Sequence, residues 1–135
     1  MLIKTTPDAE KAKSILNMVD STLNMIDGLN VEKFPSQIIK EYYGVLRELS
    51  AIIALLDGYK TLGEGAHKEL IDYVHTHYPD ILEGHHFQLF EELRTIRNKI
   101  AYDGFFVNVD YLKRNKESIG IIIQKLKRII RERLK

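Results

Sequence analysis

Arg94, Arg97, Asn98 and Tyr102 stand close together in the stretch ELRTIRNKIAYDGFFV, residues 92–107. Two arginines three apart on a helix are surface neighbours and can converge on one anion, because each guanidinium forks onto carboxylate or phosphate oxygens. The asparagine amide adds a donor and an acceptor. Tyrosine, with a reference pKa near 10, is a poor base at neutral pH but hydrogen-bonds readily. At 100° per residue Phe87, Phe90 and Ala101 fall on the same face as Arg94, Arg97 and Asn98, beside a core seam of Leu89, Leu93, Ile96 and Ile100. Charged groups flanked by phenylalanine and alanine imply a partly covered surface, met by another helix or by a second copy of the chain. The competing account pairs each arginine with an acid on a neighbouring helix, such as Glu41 or Glu48.

Other chemistries find less support. There are no cysteines, which removes disulfides, thiolate metal sites and cysteine nucleophiles together. Of the five histidines, His75 and His77 point to opposite sides of a helix, and His85 and His86 are adjacent, so neither pair chelates. No His-x3-His pair occurs, and the expectation is no metal and no cofactor. Phosphate loops of the Gly-x4-Gly-Lys type and Gly-x-Ser-x-Gly elbows are absent as well.

The elements that must carry these residues are helices. Thr6-Pro7-Asp8 reads as a helix start, with a capping hydroxyl and a proline at the first position, and Ile15, Met18, Val19, Thr22, Leu23 and Ile26 follow in helical rhythm to Gly28. Pro35-Ser36 opens a second helix with a wide apolar stripe ending at Asp57-Gly58. After the glycine-containing connection YKTLGEGAH comes a short third helix, about residues 65–78, stopped by Pro79. The fourth runs from about His85 to Tyr102. Residues Phe105 to Val109 are too few to pair as a sheet and read as an apolar connector packed on the bundle, after which Asp110 caps a last helix. On that helix Leu112, Ile119, Ile122, Ile123, Leu126, Ile129 and Ile130 share one face, and Lys113, Arg114, Lys125, Arg128, Arg131 and Lys135 the other.

The 135 residues predict one all-α domain spanning 1–135, about five helices in an antiparallel up-and-down bundle, with a core that needs no disulfide or metal. No run reaches the roughly 18 consecutive apolar residues that span a bilayer, and the first residues lack the apolar core of a signal peptide, so a cytoplasmic protein is expected. The net charge of +1 conceals an asymmetry: residues 111–135 carry nine of the 20 basic residues and two of the 19 acids. A basic surface for nucleic acid or an acidic partner fits this split, and a solvated helix face fits it more simply.

The succession KEYYGVLRELSAIIALLDGYK, GAHKELIDYV and LRTIRNKIAYDG resembles the HEPN domain of prokaryotic proteins, over about residues 36–132. That resemblance implies a compact helical bundle, commonly a homodimer through the helices holding the motif, and often one half of a toxin–antitoxin pair with a nucleotidyltransferase partner. Many such domains are metal-independent ribonucleases with an Arg-x4–6-His motif, while others bind RNA, a nucleotide or a partner protein without catalysis. Arg97 matches the motif arginine and Asn98 the asparagine that follows it. The histidine has no counterpart, since none occurs after His86, and Tyr102 stands in its slot. The expectation is a module binding RNA, a nucleotide or a partner through Arg94, Arg97, Asn98 and Tyr102, its ribonuclease activity weak or lost. The alternatives are an active endoribonuclease using Arg97 and Asn98 with Tyr102 or a histidine from elsewhere such as His67, and a purely structural adaptor.

Overall fold

A computed structural model of the chain describes residues 1–63, 65–82 and 84–135. Among them run five helices, α1 (Ala9–Asp27), α2 (Pro35–Leu56), α3 (Ala66–His77), α4 (Gly84–Asp103) and α5 (Val109–Arg133), and two three-residue strands, β1 (Leu2–Lys4) and β2 (Tyr59–Thr61). The protein is an all-α bundle, as the periodicities predict. Among the described residues no helix is long and apolar enough to cross a membrane.

The bundle is organised around α2, which packs against α1, α3, α4 and α5. Thirteen of its 22 residues are buried, among them Ile38, Ile39, Tyr43, Leu46, Leu49, Ile52 and Ile53. The buried residues take up most of the helix circumference and leave a stripe from Gln37 and Lys40 through Glu41, Arg47 and Glu48 unburied, so the helix can meet four others at once. Pro35 occupies its first turn, where a missing N–H costs nothing. The apolar stripe of α5 lies buried against the core as predicted, from Leu112 through Ile119, Ile122, Ile123 and Leu126 to Ile130.

Several local readings need correction. Asp8, not Thr6, caps α1, its side chain accepting from the Lys11 N–H at 3.0 Å. Asn108, two residues before Asp110, caps α5 by accepting from the Asp110 N–H at 2.8 Å. Both sites offered two capping side chains within three residues, and sequence alone does not say which the chain turns at. The YKTLGEGAH connection contains β2, which pairs antiparallel with β1 as Leu2↔Thr61, Ile3↔Lys60 and Lys4↔Tyr59. Three-residue strands are too short to show an alternating pattern, so this pairing left no periodic trace. The connector after α4 is only partly packed. Val107 is buried and its N–H donates to Ser36 Oγ at 2.7 Å, but Phe105 and Phe106 are 46% and 83% exposed.

Candidate anion-binding cleft

The start of α3 and the second half of α4 face each other across a cleft of about 330 Å³. Its walls are Gly63, Gly65, Ala66, His67 and Lys68 on one side and Arg94, Arg97, Asn98 and Tyr102 on the other. All four residues singled out from the sequence therefore line one concavity, and His67 lies there with them.

The cleft exists because α4 changes character along its length. Its buried residues are His86, Leu89, Phe90 and Leu93, and none beyond Leu93 is fully buried. Thus the first half is embedded in the core while the second half rides up and leaves its polar face open. Phe90 belongs to the embedded half: it is fully buried and meets Tyr43 edge-on at 6.0 Å. It is a core residue and does not share the surface of Arg97, contrary to the helical projection. α4 ends where Gly104 takes a left-handed turn at φ 65° and the Phe105 N–H donates to the Lys99 carbonyl.

On the opposite wall, Gly65 is the N-cap residue of α3, and a glycine has no side chain to accept from the first-turn amides. Those donors, with the positive end of the helix dipole, border the same cleft as the arginines.

The two arginines have different surroundings. Arg94 Nη2 donates to Glu91 Oε2 at 3.4 Å, one turn back on its own helix. Arg97 meets no carboxylate among the described residues; its Nη1 donates to Asn98 Oδ1 at 3.2 Å, and its guanidinium carbon lies 5.9 Å from the centre of the Tyr102 ring. The competing pairing with Glu41 or Glu48 is not made, and Glu48 instead meets Arg47 at 3.5 Å. Tyr102 itself is 76% exposed.

His67 is half-buried, its ring 5.9 Å from that of Tyr43. Desolvation, then the charges of Arg47, Arg97 and Arg94, push its pKa below the usual 6.5, which keeps the imidazole neutral at pH 7. Burial likewise pushes the Tyr43 phenol up to about 12 despite the nearby arginines, so it stays protonated. The arrangement combines an uncommitted guanidinium, an amide, helix-start N–H groups and a neutral imidazole. Such a set can hold a phosphate-like anion and accept a proton beside it.

Sequence reasoning found the arginine face but not its opposite wall. Gly63, Gly65 and Lys68 carried one readable sign, a glycine where a helix start ordinarily has a capping side chain. Among the described residues no three His, Asp or Glu side chains cluster as a metal site would require. The other polar residues of interest sit elsewhere. His75 stacks on Phe87 and His77 on Tyr73, at centroid distances of 4.0 and 4.2 Å, and both bond backbone carbonyls.

No family model, no curated protein and no solved structure matches this chain.

Proposed function

We propose that this chain is a HEPN-like helical module that binds RNA or a nucleotide through a phosphate held in the α3–α4 cleft. One observation carries the reading: Arg97, Asn98 and Tyr102, which fall on the degenerate motif, line a single cleft together with Arg94 and an uncapped helix start. Arg97 is the principal anion contact, since no acid among the described residues neutralises it. Asn98 steadies that guanidinium, and the Tyr102 ring, exposed beside it, offers a stacking surface for a base. The module acts in a prokaryotic cytoplasm, as a homodimer or beside a nucleotidyltransferase in a toxin–antitoxin pair, with ribonuclease activity weak or lost because no histidine follows Arg97.

A second reading is favoured by the place of His67. A neutral imidazole in the same cleft as Arg97 is suited to take a proton from a 2′-hydroxyl while the guanidinium meets the charge building on phosphate. This is the metal-independent endoribonuclease with the histidine supplied by α3 in place of α4. The purely structural adaptor is disfavoured by Arg97, which hydrogen-bonds its helix neighbour Asn98 and, among the described residues, no side chain of another helix.

Fluorescence anisotropy with labelled single-stranded RNA and with mononucleotides tests the binding reading. The expected result is saturable binding that weakens with added salt and drops steeply in Arg97→Ala. RNA incubated with and without EDTA decides between the two readings. Cleavage that survives EDTA and disappears in both Arg97→Ala and His67→Ala replaces the binding module by the enzyme.

A further inference from the structure

The charges around the cleft are unequally committed. Lys68 Nζ meets Asp72 at 3.1 Å and Arg47 meets Glu48, so both are spent on neighbours. With His67 neutral, Arg97 is the one cleft cation without a carboxylate among the described residues. Arg97 and the start of α3 together match an anion of about one charge.

Arg94 is a different case, because its pairing with Glu91 is half made. A guanidinium and a carboxylate can form two parallel hydrogen bonds, and here a single long one of 3.4 Å joins them. Glu91 Oε1 and Arg94 Nε are both buried and without a hydrogen-bond partner. Buried donors and acceptors left unmade carry a free-energy cost that side-chain movement can relieve. Among the described residues a third buried side-chain atom without a partner is the Tyr43 hydroxyl, whose ring lies against His67. These unsatisfied atoms belong to residues at or directly behind the cleft, while the other ion pairs of the described residues contribute none.

We infer that the cleft selects a dianionic phosphate, a terminal phosphomonoester or pyrophosphate, over an internal phosphodiester, the ligand's second charge displacing Glu91 from Arg94. The inference rests on the phosphate-binding reading and specifies its ligand. Arg97 meets the first charge. Arg94 turns from its incomplete bond to the second, and Glu91 is the internal competitor that a singly charged diester does not displace.

The test uses two small probes that differ by one charge, methyl phosphate and dimethyl phosphate, titrated into the full chain at pH 8 and low salt and followed by amide chemical shifts of α3 and α4. Methyl phosphate is expected to bind about tenfold more tightly than dimethyl phosphate. Glu91→Gln keeps the side chain's shape and is expected to tighten methyl phosphate about fivefold, the worth of one partly exposed ion pair removed. Arg94→Gln is expected to bring the two probes to the same affinity. Equal affinities in the native chain, or no gain in Glu91→Gln, overturn the inference while leaving the phosphate cleft standing. Binding of neither probe, to the native chain or to Glu91→Gln, overturns the cleft itself. A 5′-phosphorylated single-stranded RNA, its unphosphorylated twin and a mononucleotide then identify the source. Tightening by the RNA's terminal phosphate assigns an RNA end, tightening confined to the mononucleotide assigns a free nucleotide, and no tightening in either overturns the selectivity.

Discussion

Two polar clusters of this bundle are built from the same residue types and put to opposite uses. Where α2 ends, Asp57 accepts from Tyr73 at 2.6 Å, from Tyr78 at 3.0 Å and from Arg133. Arg133 also donates to the Tyr78 hydroxyl at 3.0 Å and to the Leu56 carbonyl at 3.1 Å. Both phenols and both terminal nitrogens of the guanidinium donate there, and the cluster joins α2, the end of α3 and the end of α5. In the cleft, a tyrosine and two arginines again gather near an acid. There, among the described residues, one arginine hydrogen-bonds an asparagine amide but no carboxylate, and the other makes a single long bond. A saturated cluster holds helices together; an unsaturated one has donors left over for a ligand. Composition does not separate them, but the count of committed donors does.

Mutation can break this contrast, and the largest effect is expected at the saturated cluster. Asp57→Ala leaves two phenols and a guanidinium without their acceptor and is expected to cost about 3 kcal/mol in urea unfolding. Arg97→Ala in the same assay is expected to stay within about 0.5 kcal/mol, because its side chain holds nothing in place. A loss at Arg97 equal to that at Asp57 would mean the cleft is structural after all. Next in size is the effect of Arg97→Ala on phosphate or RNA affinity, a drop of about 10- to 100-fold by anisotropy, as expected for a lost charge-assisted contact.

The pH responses should differ in direction. Burial, followed by the hydrogen bond to Asp57, raises the Tyr73 and Tyr78 phenols above 10 in the folded chain. Their contribution is whole below pH 10 and is lost as pH climbs beyond it, when only the unfolded chain ionises. Tyr73→Phe should therefore flatten the fall in stability on the alkaline side. His67 behaves the other way, since its folded pKa lies below 6.5. Its contribution is whole above that value and declines as pH drops below it, when the unfolded chain takes up the proton first. This is the smallest effect, because the ring is only half-buried and solvent still screens part of the shift. A histidine titration by NMR with its midpoint above 6.5 would refute it, and His67→Gln should remove the slope between pH 7 and 5.5.

How much of this was readable beforehand follows from geometry. The segregated faces of α5 were legible because 25 residues give the period many turns in which to repeat. The grouping of Arg94, Arg97, Asn98 and Tyr102 was legible for the same reason, one helix sufficing to bring them together. Phe90 was misplaced because a projection gives direction around a helix but not depth, and α4 sinks into the core at one end only. The wall from Gly63 to Lys68 depends on how α3 packs against α4, which no local pattern encodes. The pairing of β1 with β2 joins segments more than fifty residues apart and is likewise a tertiary event.

The uneven embedding of α4 has a consequence for how the protein breathes. Amide hydrogens in its first half, locked beside Phe90 and Leu93, should exchange with solvent only when the whole bundle opens. Those from Arg97 to Asp103 lack that cover and should exchange through local fraying, on a much shorter timescale. A ligand gripped between Arg97 and the start of α3 would stitch this loose end to the rest of the molecule. Occupancy of the cleft would then be written in deuterium, as slowed uptake confined to the last turns of one helix and the first turn of another.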